Sequence, residues 1–270
     1  MQSWKQSPPL RLARKIYGAL VRAGQHARRA LVYSNYDSTK YWRGRASAKG
    51  EAAVMFTNPE YNGLVRVRQM AVLEPYLASL PPGARLLDIG CGIGAVAARM
   101  ADRRPDLRIT AVDFPEMVAR GRVENARPSI TYVEGSAESY FEKSSAFDLV
   151  VSAGCYSAIR DLTKLEAGLQ RAVDLLVPGG RLVLIDPFHW WIYLARARYS
   201  SGKVIRFLAR RGLQLTEKSG ILYWPARERL SSSELRGEVL KREFDAGEEK
   251  LRRRGSHLWA DYKVLVFRKP

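Results

Sequence analysis

From residue 85 onward, short apolar runs alternate with longer amphipathic stretches. RLLDIG (85–90) is a brief apolar run that ends in glycine, and AVAARMADRR follows it with helical spacing. LRITAVDF (107–114), ITYVEG (130–135), FDLVVSAG (147–154) and GRLVLIDPF (180–188) repeat the pattern, with the helical MVARGRVENA and LTKLEAGLQRAVDLL between them. Apolar runs that do not alternate with polar residues, separated by helices of about ten residues or more, predict βαβ units whose parallel sheet is buried on both faces. Further on, residues 202–211 read as a basic helix, 212–224 as strand-like, 231–254 as a charged helix and 260–270 as a closing strand. Upstream, two helices are expected, over 9–33 and about 63–80. In the first, Leu12, Ile16, Leu20 and Ala23 share a face and arginines occupy much of the rest. The chain contains no internal repeat and no low-complexity tract. Its predicted organisation is a basic helical extension or lid over 1–80, then one α/β domain over 81–270.

Composition narrows the class without naming a function. Of 270 residues, 46% are hydrophobic and 27% charged, the balance of a folded globular protein. Cys91 and Cys155 stand far apart with no metal-ligand spacing around them, so neither a disulfide scaffold nor a bound metal is expected. No apolar run is long enough to span a bilayer, and the N-terminus has no apolar signal core. A cytoplasmic protein is the expectation. The net charge of +18 is unevenly placed: +8 over 1–60, zero over 61–190, +7 over 191–230 and +3 over 231–270. Basic flanks around a neutral centre fit a solvated arginine-rich surface, peripheral contact with an anionic membrane, or a nucleic-acid partner.

The sharpest motif is DIGCGIGA (88–95), at a strand-to-helix junction. Glycines there allow a tight turn and close approach of a ligand to the backbone, and the following helix offers free N–H groups. The pattern also satisfies the dinucleotide fingerprint GxGxx(G/A). Its neighbours separate the two readings. Asp88 precedes the glycines, where a carboxylate suits a cationic ligand better than a pyrophosphate. Asp113 closes the second strand, where it can take both hydroxyls of a ribose.

LLDIGCGIG, AVDFPEM, YVEGSAES, FDLVVSAG and LLVPGGRLVLIDPF, in that order and spacing, resemble the class I S-adenosylmethionine (SAM)-dependent methyltransferases. The resemblance covers about residues 83–190 and reaches the chain end through the last strands. It implies a Rossmann-like, seven-stranded, mostly parallel sheet with an antiparallel C-terminal strand. It also implies that Gly90, Gly92 and Gly94 wrap the methionine part of SAM, Asp88 orients its amino group, and Asp113 takes the ribose. Phe114 would pack on adenine, Ser136 and Ala137 would stand near it, and Ser152 and Ala153 would line the sulfonium side. The product would be S-adenosylhomocysteine.

Methyl transfer needs alignment and, for an oxygen or nitrogen acceptor, removal of a proton. His189, just past the fifth strand, and Tyr156, just past the fourth, are the candidate bases. DFPEM and DPF resemble small-molecule O-methyltransferases, although CYSAIRD lacks their catalytic histidine. Residues 36–43 (YDSTKYWR) resemble an aromatic lid. Trp190, Trp191, Tyr193, Tyr223 and Trp224 fit either a large apolar acceptor cavity or a thick core. The resulting expectation is methyl transfer to an oxygen of a small or lipid-like molecule. An RNA or nitrogen acceptor, or a catalytically silent SAM-fold protein, stands as the alternative.

Overall fold

The computed structural model describes residues 37–140, 142, 146–189 and 199–270. The 9–33 helix, His26 and the aromatic run at 190, 191 and 193 therefore lie outside the described residues.

Ser38–Arg45 (α1) and Pro59–Ala78 (α2) lead into the sheet. Both begin at a side-chain cap. Asp37 accepts from the Thr39 and Lys40 N–H groups, and Asn58 from those of Glu60 and Tyr61, satisfying donors that a helix start leaves free. The Asn58 amide also donates to the carbonyls of Leu230, Ser233 and Leu235, which fastens α2 to a segment 172–177 positions away.

The sheet then builds from Arg85–Ile89 (β1), Ala95–Arg103 (α3), Arg108–Asp113 (β2), Pro115–Glu124 (α4) and Ile130–Glu134 (β3). Phe147–Ala153 (β4), Leu162–Leu175 (α5), Leu176–Asp186 (β5) and Ser201–Ala209 (α6) continue it. Gln214–Tyr223 (β6), Trp224–Ser232 (α7), Gly237–Arg254 (α8), Ser256–Trp259 (α9) and Ala260–Arg268 (β7) complete it. The charged stretch after 223 thus forms two helices. The strand order is β3-β2-β1-β4-β5-β7-β6. β7 runs antiparallel to both its neighbours, and the other described pairs are parallel.

Both faces are covered, as the unbroken apolar runs predict. Leu86, Leu149, Val183 and Val264 pack with α2, α3 and α8, while Leu87, Val150, Leu184 and Leu265 pack with α5 and α6. Successive strand residues therefore enter opposite cores. The chain winds outward from β1 to β3 and then restarts at β4 beside β1. That reversal opens a crevice at the carboxyl ends of β1 and β4, and a cavity lined by residues of both strand ends sits there.

Much of the arginine content is interleaved with acid on the surface. Arg43–Glu116, Arg104–Asp106, Arg127–Asp102 and Arg229–Glu243 are ion pairs of this kind. Exposed pairs of this kind contribute little each, because solvent and salt screen them.

Candidate active site

After β1 the chain takes left-handed backbone at Gly90 (φ +70°), Gly92 (φ +57°) and Gly94 (φ +80°). The Gly90 and Cys91 N–H groups donate to the Val112 carbonyl at 2.9 and 3.1 Å, folding the loop onto β2. A Cβ at Gly90 would lie 2.3 Å from the Cβ of Cys155, and one at Gly92 would lie 2.6 Å from Val54. Gly90 and Gly92 wall the cavity. Gly94 does not. A Cβ there would meet the Tyr132 hydroxyl at 2.0 Å, and that hydroxyl donates to the Asn125 carbonyl at 3.0 Å. The third glycine thus lets α3 pack closely on β3, the part the third position plays in dinucleotide folds too.

Two carboxylates face this loop. Asp113 accepts from the Gly92 N–H through Oδ2 and from the Phe114 N–H through Oδ1, each at 2.7 Å. Each oxygen keeps a lone pair for a ligand hydroxyl. Burial pushes its carboxyl up to about 6, against the pull of those two bonds. Asp88 is almost fully buried, and its Oδ2 has no hydrogen-bond partner. Burial raises it to about 7, and the nearby Arg66 opposes the rise. Arg66 also lines the cavity; α2 carries it, and Glu51 and Gln69 each hold it at 2.9 Å. Sequence reasoning missed this residue, because nothing in the α2 pattern separates a buried arginine from the surrounding surface ones.

The cavity has a volume of about 700 Å³. Phe114, Ser136 and Ala137 line one end, and the Ser136 hydroxyl is 2.7 Å from that of Ser139. Ala153, Gly154 and Cys155 line the middle. Ser152 stands behind them, fully buried, with its hydroxyl donating to Asp186 Oδ2 at 3.2 Å. Asp186 Oδ1 accepts the Ser157 N–H at 3.0 Å, so this carboxylate ties the end of β5 to the segment after β4. Burial pushes it up to about 7, against the bonds from Ser157 and Ser152. Cys91 and Cys155 are free thiols whose pKa burial pushes well up, which leaves them poor nucleophiles.

Neither candidate base lines the cavity. Tyr156 is fully buried and donates its hydroxyl to the Gly168 carbonyl of α5 at 3.1 Å. His189 lies behind Asp261, with Nε2 3.5 Å from Asp261 Oδ1. His257 bridges Ser201 and the Ser219 carbonyl, a structural role. Tyr223 and Trp224 pack with Trp259, away from the cavity wall.

Residues remote in sequence line the cavity as well: Arg227 of α7, Asp261 and Tyr262 of β7, and Thr57 and Trp42. α1 lines the cavity too, and Arg43 Nε and Nη2 both donate to Glu116 Oε1, at 2.8 and 2.6 Å. Arg120 adds bonds to the Ala46 and Ala48 carbonyls at 2.7 Å. The described residues contain no cluster of three potential metal ligands.

The residues present fit SAM. A buried, unpartnered carboxylate oxygen on Asp88 suits its ammonium group, the bare backbone of Gly90 and Gly92 admits its chain, and Asp113 suits its ribose.

Residues 86–180 match a methyltransferase domain family. A ubiquinone biosynthesis O-methyltransferase of Xanthomonas axonopodis pv. citri is 29% identical over 178 residues, covering 56% of this chain and 72% of that protein. A demethylmenaquinone methyltransferase of Deinococcus radiodurans is 32% identical over 155 residues, covering 53% and 63%. Among solved structures, the N-methyltransferase NodS of Bradyrhizobium japonicum with S-adenosylhomocysteine matches with a TM-score of 0.60. It is 20% identical and covers 87% of this chain and all of that one. The [4+2]-cyclase SpnF matches at 0.52 and 19% identity, covering 73% and 80%, so the fold by itself does not fix the reaction. With the glycine loop and its two carboxylates in place on this sheet, residues 86–180 form a methyltransferase domain, and the chain has the fold of SAM-dependent methyltransferases.

Proposed function

We propose that this enzyme transfers the methyl group of SAM to an oxygen of a small or lipid-like acceptor. SAM supplies an electrophilic methyl on a sulfonium, displaced in line, so the protein's main task is alignment. Asp88 and Asp113 would fix the two ends of the donor. Gly154 and Cys155, braced by Asp186, would bound the space where the methyl leaves, and α1 would exclude water above it.

The observation that carries this reading is a single cavity of about 700 Å³ lined both by the donor residues and by the polar side chains of Arg227 and Asp261. Room for a second, compact molecule is what an acceptor needs. Both relatives are named for quinones, which supports a small molecule over a macromolecule, and the O-methyltransferase among them supports oxygen as the acceptor atom.

The test is incubation with methyl-labelled SAM and three acceptor sets: phenols and hydroquinones with and without an apolar tail, amines, and RNA. Products are identified by mass and fragmentation. A methyl ether in the first set is expected. Label appearing only on nitrogen or only in RNA would sink the proposal, as would S-adenosylhomocysteine binding with no transfer to any set.

A further inference from the structure

The donor residues occupy the β3-β2-β1 side of the crevice and leave the β4-β5-β7 side to the acceptor. Because β7 is antiparallel to β5 and Asp186 pairs with Lys263, Asp261 and Tyr262 emerge just beyond the carboxyl end of β5. There Arg227 Nη1 donates to Asp261 Oδ1 at 2.8 Å. The pair has a direction. Both line the cavity, but Asp261 has no exposed surface, whereas the Arg227 side chain keeps 19%. The positive member is therefore the more accessible of the two. His189 lies 3.5 Å from the same Asp261 oxygen, and both His189 Nε2 and Asp261 Oδ2 have no hydrogen-bond partner.

A buried ion pair with polar atoms left over is a costly arrangement for stability alone. A guanidinium has five N–H donors in a planar fork, and Asp261 takes one. We propose that Arg227 is the specificity-determining residue for the acceptor. Its remaining donors bind the acceptor oxygen and favour its deprotonated form, so that the enzyme selects acidic hydroxyls such as phenols or enols and rejects amines. Asp261 and His189 are positioning residues that hold the guanidinium in that direction.

The inference rests on oxygen being the acceptor atom. The hydroxyl gives its proton to solvent on binding. The oxygen lone pair then forms the new O–CH3 bond while the S–CH3 bond breaks and its electron pair stays on sulfur. No cavity-wall base is needed, which accounts for Tyr156 and His189 both standing away from that wall. An amine has no negative charge for Arg227 to stabilise, and its attack builds positive charge beside a guanidinium. Glu228, next to it on α7, lines the cavity as well and lies within electrostatic reach of the guanidinium.

The test uses SAM-loaded enzyme with para-substituted phenols of graded acidity and the matching anilines. Arg227→Gln should lower kcat/KM for phenols about 100-fold, the usual loss on removing an oxyanion donor. The loss should shrink for the most acidic phenols, which ionise without help, and Arg227→Lys should recover part of it. S-adenosylhomocysteine affinity should stay within twofold. If Arg227→Gln fails to fold because Asp261 is stranded, Arg227→Gln with Asp261→Asn removes both charges and should show the same loss. Equal phenol rates in wild type and variants would overturn the inference while leaving oxygen methylation standing. A preference for anilines, or transfer to neither series, would overturn both.

Discussion

The two ends of the cavity are built in different ways. At the donor end, Asp88, Gly90, Gly92, Asp113 and Phe114 fall within 27 consecutive residues on two successive βα units. At the acceptor end, Trp42, Thr57, Arg227, Asp261 and Tyr262 span most of the described chain. Backbone geometry fixes the first: strand ends and left-handed glycines leave its parts one arrangement. Long-range packing fixes the second, through contacts such as Asn58 to the segment after α7. Donor recognition should therefore fail sharply at single residues, whereas acceptor recognition should shift by degrees.

The largest expected effect tests the rigid end. Asp113 holds two backbone N–H groups of the loop as well as the proposed ribose site. Asp113→Ala should weaken S-adenosylhomocysteine binding more than tenfold by calorimetry, at least about 1.4 kcal/mol. Unchanged affinity in a folded variant would remove the donor end from this loop.

Asp88→Asn should have a smaller and pH-dependent effect. Burial raises its carboxyl to about 7, so the folded state binds this proton more tightly than the unfolded chain does. The stability it contributes is full below the ordinary carboxylate value and is lost as pH rises through about 7. At pH 8 the empty wild type carries a buried, unpaired negative charge, so Asp88→Asn should have the higher Tm there, with the gap closing by pH 5. Asp113 and Asp186 are raised as well and act in both proteins alike. Ligand affinity should move the other way, with Asp88→Asn binding S-adenosylhomocysteine about tenfold more weakly at pH 8. A variant that binds fully at that pH would show that Asp88 only packs.

Asp186→Asn tests the joint between the two ends. It keeps an acceptor for the Ser157 N–H but loses the charge that also draws Ser152. We expect donor affinity to hold within twofold and kcat to fall about tenfold, as small misplacements of reacting groups do. Loss of donor binding instead would mean the two ends are not separable.

The same division explains what was legible in the sequence. The parallel sheet and the two carboxylates follow from apolar runs, glycine spacing and position at strand ends, which are local signals, whereas the reversed strand came only with the family resemblance. Gly94 was legible as a glycine but not as the partner of Tyr132, since that contact joins separate elements. Arg227 and Asp261 carried one signal that could have been used. ADYKVLVF places Asp261 and Lys263 in an otherwise apolar closing strand, and both are buried. A charge inside such a strand needs a partner, and the partner had to come from elsewhere in the chain.

Tyr156 gives the smallest effect and the cleanest check on side-chain direction. Sequence places it one residue past the Cys155 that lines the cavity, yet the short 3-10 turn at Tyr156–Ala158 sends the two side chains apart. The Ser157 N–H turns to Asp186, and the Tyr156 ring passes into the core against α5. Its hydroxyl donates to the Gly168 carbonyl, and a Cβ at Gly168 would come within 3.1 Å of its ring. Tyr156→Phe keeps that ring and removes one buried hydrogen bond, worth about 1 kcal/mol. For a chain of this size, Tm should fall by about 2–4 °C. Because the lost bond lies on the α5 side of the turn, kcat and KM for the acceptor should match the wild type. A tenfold loss of kcat at unchanged Tm would reverse the assignment and return Tyr156 to the reacting groups.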